Sequence, residues 1–97
     1  MKIYKYQGKA PLNEPIVLDM PLGRIIHAVA EPLTSGRQSI TLWVRVADRP
    51  IVTQRTFITV GTGAQIANGL VHVLTYPDGV FWWHLFEVEP GVSAASP

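Results

Sequence analysis

The sequence contains no cysteine, and only 15% of its 97 residues are charged. The lack of cysteine excludes disulfide bonds and thiolate metal sites. Soluble domains usually carry about 25% charged residues, whereas 47% of this chain is hydrophobic. Such a composition leaves apolar surface on a small monomer, and large apolar patches usually mark interaction sites. We therefore predict a homo-oligomer.

Long apolar runs are missing as well. Residues Met1 to Tyr6 include two lysines and therefore do not form the apolar segment of a signal peptide. No window of the chain approaches the roughly 18 consecutive apolar residues that indicate a membrane span. These absences predict a protein of the cytoplasm with no membrane partner.

An excess of positive charge is also absent, since eight basic residues face seven acidic ones and the net charge is +1. A domain that binds duplex nucleic acid usually has a strongly basic balance. The composition therefore predicts no duplex nucleic-acid partner. It leaves small charged ligands open.

Catalytic motifs are missing too. None of the four serines stands in a Gly-x-Ser-x-Gly turn. Glu87 and Glu89 share a strand face but lie near the end of the chain, whereas general acid–base chemistry needs a firmly held pair. We predict that the protein is not an enzyme and has no cofactor.

Short segments of alternating apolar and polar residues, separated by Pro and Gly, make up most of the chain. This pattern predicts an all-β fold of about seven short antiparallel strands in a small sandwich or barrel. At most one short helical turn is expected, near residues 64–68. Residues 1–88 are predicted to form a single β domain, and residues 89–97 a flexible C-terminal tail. In the clearest strand, one face carries Ile40, Leu42, Val44 and Val46, and the other Thr41, Trp43, Arg45 and Ala47.

Residues 79–87 are the most aromatic part of the chain and follow an Asp78-Gly79 dipeptide. Asp-Gly between two apolar segments predicts a hairpin that pairs this segment with residues 70–75. Phe81, Trp83 and Leu85 are expected to face the core. Trp82, His84 and Phe86 fall on the other face, where a subunit, a ligand or the chain itself could cover them.

Two further motifs have competing interpretations. Gly61-Thr62-Gly63 follows a strand and could present amides to a phosphate, although so short a motif is more often a plain turn. His27, His72 and His84 lie on three different strands. Three imidazoles can hold zinc if they converge, but strand histidines without nearby carboxylates are usually structural, so no metal site is predicted.

Trp43 lies beside Arg45 on one outward face, and Trp82 beside His84 on another. An aromatic ring next to a cation suits stacking on a base with charge for its phosphate. The same residue types also mark protein–protein hot spots. The tryptophans could equally fill the two sides of a sheet. All three interpretations stay open at this point.

Five sequence blocks resemble a family of small uncharacterised proteins from bacteriophages and prophages. The most specific are Gly61-Thr62-Gly63 and Trp83-His84-Leu85-Phe86-Glu87. The resemblance implies a phage origin, a β-rich fold and no known enzyme activity. One departure is Ala64, which stands where the family pattern has a histidine. The blocks are residues 3–6, 20–27, 41–44, 55–63 and 83–87.

Together these features predict a non-enzymatic phage-type binding protein of the host cytoplasm. One hypothesis is that it sequesters a nucleotide signal of bacterial anti-phage immunity, as an anti-defence protein. The alternative is a protein-interaction or accessory structural module that acts through its apolar sheet face. The predicted ligand-binding residues are Trp43, Arg45, Arg55, Gly61, Thr62, Gly63, Trp82 and His84.

Overall fold

Seven strands carry the chain from Lys2 to Val88 in the computed structural model, which describes residues 1–89. The predicted all-β fold is confirmed. Residues 64–67 are irregular and Asn68 and Gly69 form a turn, so no helical turn forms there. The predicted tail falls, from residue 90 onward, outside the described residues. The strands are β1 (Lys2–Pro11), β2 (Ile16–Pro21), β3 (Arg24–Pro32), β4 (Arg37–Val46), β5 (Val52–Gly61), β6 (Leu70–Asp78) and β7 (Phe81–Val88).

The strands form two antiparallel sheets. Sheet A has the order β1-β4-β3, and sheet B has the order β2-β5-β7-β6. The chain crosses between the sheets after β1, β2 and β4, whereas β3–β4 and β6–β7 are hairpins within one sheet. The arrangement fits a small sandwich. Within residues 1–89, no helix has the length and hydropathy needed to cross a membrane.

The core lies between the two sheets and is set by the alternation of β4. Its even-numbered residues from Ile40 to Val46 are at most 4% exposed. Met20, Phe57 and Leu85 of sheet B complete the same apolar cluster. Burying a side chain of this size stabilises the fold by roughly 1.5–3 kcal/mol. The odd-numbered residues of β4 consequently face solvent, as predicted.

The β6–β7 hairpin has the predicted turn. Asp78 pairs with Phe81, which leaves Gly79 and Val80 as a two-residue connection. Gly79 takes a φ of 62°, which glycine adopts without the steric penalty of a β-carbon. Leu85 is buried as expected. The hairpin thus places the aromatic segment in the middle of sheet B, between β5 and β6.

Phe81 does not anchor the core, and that part of the prediction is wrong. Its ring is 50% exposed because the residue begins β7 directly after the turn. The ring packs on Trp83 with centroids 5.3 Å apart and lies over Gly61. A β-carbon at Gly61 would stand 2.9 Å from the Phe81 ring, so a larger residue there would displace the ring.

Each sheet has two edge strands, β1 and β3 in sheet A and β2 and β6 in sheet B. The register also shifts by one residue at Ile26 in β3 and at Val73 in β6. Proline lacks the amide hydrogen that a sheet ladder needs and is therefore suited to edges. The central strands β4, β5 and β7 contain no proline, whereas the edge strands end in or contain Pro11, Pro21, Pro32 and Pro77.

A buried polar link joins the two sheets. The Tyr76 hydroxyl donates to Gln38 Oε1 at 2.5 Å, and Gln38 Nε2 donates to Thr59 Oγ1 at 2.6 Å. All three residues are at most 4% exposed. Burial, with a smaller contribution from the charge of Asp78, raises the pKa of Tyr76 to about 12. The phenol therefore remains a hydrogen-bond donor at neutral pH.

We expect Tyr76→Phe to destabilise the fold by about 1–3 kcal/mol, because it leaves the buried Gln38 carbonyl without a donor. In a domain of this size, that loss corresponds to a fall in Tm of several degrees. Thermal and urea unfolding measure it. Tyr4→Phe is the control, since Tyr4 is exposed. Equal stability of the two variants would contradict the role assigned to the link.

Candidate functional site

The outer face of sheet A gathers side chains from three strands around Trp43. Lys5 of β1 is the register partner of Trp43, and His27 of β3 is its partner on the other side. Arg24 of β3 pairs with Arg45. Side chains of paired residues lie on the same face of a sheet, so these five share the solvent side.

Trp43 itself is half-buried between a cation and an imidazole. The Lys5 Nζ atom lies 5.7 Å from the centroid of the indole ring, within the range of a cation–π contact. The His27 ring lies 5.2 Å away and is tilted by 40°. The indole is thereby held in place, with polar groups on both sides.

The charge on this face far exceeds the net charge of the chain. Five cations and one carboxylate, Glu31, give it a formal charge of +4. The other three cations and six carboxylates give the rest of the protein −3. We call this surface the basic face, and define it by Lys5, Lys9, Arg24, Arg37 and Arg45 around Trp43 and His27.

Arg24 and Arg45 are the unusual pair on the basic face. Like charges directly opposite each other in a sheet are destabilising. Neither guanidinium takes part in the two ion pairs found among the described residues, which join Met1 to Asp48 and Arg55 to Glu87. An anion bound at the two guanidiniums would relieve this repulsion.

The outer face of sheet B carries a chain of hydrogen bonds around His84. His84 contacts Thr62 Oγ1 through Nε2 at 2.7 Å and Thr75 Oγ1 through Nδ1 at 2.9 Å. Thr75 Oγ1 in turn contacts His72 Nε2 at 2.7 Å. Trp82 lies beside this chain, 48% exposed, and its carbonyl accepts from the Thr62 amide at 3.2 Å.

This hydrogen-bond chain fixes the orientation of His84, since hydroxyl groups engage both of its ring nitrogens. No carboxylate takes part in it. Among the described residues, no group of three or more His, Asp and Glu side chains comes together as a metal site would require. The predicted Gly61–Gly63 loop contributes its threonine side chain to the cluster.

Arg55 lies apart from both outer faces, between the sheets. Its Nε and Nη2 atoms donate to the two carboxylate oxygens of Glu87 at 2.6 and 2.7 Å. Its Nη1 atom donates to the carbonyls of Pro21 and Gly23 at 3.2 and 2.8 Å. The pair lines a cleft of about 470 Å³ that opens between β3 and β6. The guanidinium thus ties β5 to β7 and to the β2–β3 connection.

The predicted ligand-binding residues therefore fall into three places. Trp43 and Arg45 lie on the basic face, Arg55 lies in the interior, and the remaining five, from Gly61 to His84, lie at one end and the outer face of sheet B. Sequence reasoning missed Lys5 and Arg24. Alternation in β1 was a visible signal that Lys5 faces outward. No local pattern showed which strands would stand beside β4.

Comparison with protein families matches residues 1–95 to a domain of unknown function, DUF7352. The chain belongs to the DUF7352 family. This confirms the resemblance to an uncharacterised family. Searches of the curated proteins and of the solved structures each gave no match for this DUF7352 domain.

We expect Arg55→Met and Glu87→Leu each to destabilise the domain by about 3–5 kcal/mol, because each leaves a largely buried charge without its partner. The double variant should cost clearly less than the sum of the two single changes. Urea unfolding measures all three. Arg49→Met, at an exposed loop position, is the control and should change stability by about 0.5 kcal/mol at most. Additive losses would show that the pair is not coupled.

Proposed function

We propose that this protein is a non-enzymatic binding protein that takes a nucleotide on its basic face. The observation that carries the proposal is the juxtaposition of Arg24 and Arg45, which have no ion-pair partner among the described residues, with Trp43. Guanidinium groups bind phosphate oxygens with paired donors. An indole ring offers a surface on which a base can stack.

The spacing of these groups suits one nucleotide unit. Arg45 and Trp43 stand two residues apart on β4, so their α-carbons are separated by roughly 7 Å on the same face. Arg24 stands opposite Arg45 on the neighbouring strand and adds a second cation at this end of the face. Lys5, which lies over the indole, supplies a further cation for the phosphate when a base replaces it on the ring.

The resemblance to phage and prophage proteins supports a narrower form of the proposal. In that form, the nucleotide is a signal of bacterial anti-phage immunity, and the protein sequesters it in the host cytoplasm. A protein that only retains its ligand needs recognition groups and no catalytic group. The basic face supplies such recognition groups.

We expect nucleotides to raise the Tm of the purified protein. A ligand present at 100 times its Kd adds about 2.7 kcal/mol, which is several degrees in so small a domain. The panel comprises nucleoside monophosphates, cyclic dinucleotides and NAD-derived nucleotides. Ribose 5-phosphate tests the need for a base. Trp43→Leu should weaken binding roughly 5- to 150-fold, the equivalent of about 1–3 kcal/mol of stacking.

Matched variants assign the effect to the basic face. Arg45→Gln should weaken binding, whereas Arg49→Gln, an exposed arginine outside this face, should not. Trp43→Phe keeps an aromatic surface and should retain most of the affinity. If no nucleotide changes the melting temperature, or if the change is the same in Arg45→Gln, the proposal fails.

A second candidate function rests on the apolar end of the β6–β7 hairpin. Val80 is fully exposed, and Phe81 and Trp82 are 50% and 48% exposed. Adjacent exposed aromatic residues are typical of protein-interaction sites. This surface supports an accessory interaction module, or the self-association predicted from composition.

If this end mediates self-association, light scattering at micromolar concentration should give a mass above the 10.7 kDa of the monomer. Trp82→Ser combined with Val80→Ser should lower that mass, because it removes exposed apolar surface. The matched control is Val17→Ser with Ile3→Ser, which removes exposed apolar groups elsewhere. A monomer at all concentrations would rule out self-association and leave a different protein as the partner.

A further inference from the structure

The basic face has a second cationic end, far from Arg24 and Arg45. Lys9 lies near the C-terminal end of β1 and Arg37 at the start of β4, both beside the β3–β4 loop. With Thr34 and Ser35 of that loop, they line a shallow groove of about 510 Å³. Cations and hydroxyl groups together are donors that suit phosphate oxygens.

The two ends are too far apart for one nucleotide. Arg37 and Arg45 are eight residues apart on β4, which corresponds to roughly 27 Å at the rise of a strand. Between them, the outward positions are occupied by Trp43 and Lys5 and by polar residues of β4 such as Thr41. We call this line of outward positions from Arg45 to Arg37 the strip: it has cations at both ends, hydrogen-bonding side chains between them, and the carboxylate Glu31 beside Ser39.

We infer that the basic face binds an extended single-stranded nucleic acid, whose successive phosphates follow the strip from Arg45 to Arg37 while one base stacks on Trp43. The inference rests on the proposed nucleotide function and names the class of ligand. A repeating polyanion can contact the cations at both ends of the strip, whereas a free nucleotide reaches only one end. The −3 charge of the rest of the protein confines the contact to this face.

The single-stranded form follows from the stacking surface. A base can stack on a side chain only when it is not enclosed in a duplex. Known single-stranded binding domains cover about 4–16 nucleotides each. The strip of roughly 27 Å along β4 is suited to the short end of that range.

The test is fluorescence anisotropy with labelled oligothymidylates of increasing length, up to about 8 nucleotides, against a mononucleotide competitor. Affinity should rise with length until the strip is filled. The logarithm of the affinity should fall with the logarithm of the salt concentration with a slope of about −3, as expected for about four phosphate contacts on a single strand. A duplex of the same length should bind more weakly.

Three arginine variants separate this inference from the function on which it rests. Arg45→Gln should weaken the binding of both mononucleotide and oligonucleotide. Arg37→Gln should weaken only the oligonucleotide and reduce the salt slope by about 0.7. Arg49→Gln should change neither.

The possible results lead to different conclusions. If mononucleotides bind and oligonucleotides bind no more tightly, the inference is overturned and the proposed function stands. If neither binds, both fail. Three other results would overturn the inference, because each removes its geometric or chemical basis. They are oligonucleotide binding that Arg37→Gln does not affect, equal affinity for the duplex, and equal competition by polyglutamate.

Discussion

The alternation of β4 is the constraint on which the rest of the structure depends. Its even-numbered side chains fill the space between the sheets, so the strand can sit in only one orientation. A slip of one residue would bury Arg45 and expose Leu42. The strand therefore fixes Trp43 and Arg45 on the outside. Because β1 and β3 pair with it on either side, it also fixes which of their residues stand next to the indole.

The fold class could be predicted because period-2 patterns and turn residues are local. The same patterns placed Trp43 outward and identified the Asp78-Gly79 hairpin. Partners across strands are not local. Lys5 meets Trp43 only because β1 and β4 pair, and Glu87 meets Arg55 only because β7 lies beside β5. Such neighbours follow from the packing of the whole chain, which no single segment encodes.

Charge shows the same difference between composition and structure. A net charge of +1 is a sum over the surface, and it conceals a separation of +4 on one face from −3 elsewhere. The hydrogen bonds of buried polar side chains also depend on contacts that the composition does not show. Within the described residues, no buried side-chain nitrogen or oxygen lacks a partner. The contacts of Gln38 with Tyr76 and of Arg55 with the Gly23 carbonyl both join residues that are distant in sequence.

The prolines in the four edge strands affect how this protein can meet other copies of itself. An exposed strand edge invites another strand to extend the sheet, which is a common route to aggregation. Here each edge has a site without an amide donor, and β3 and β6 also have a break in register. These features hinder strand addition at the end of each edge strand that carries the proline. Ordered assembly is therefore more accessible through the faces of the sheets or the exposed end of the β6–β7 hairpin than through the strand edges.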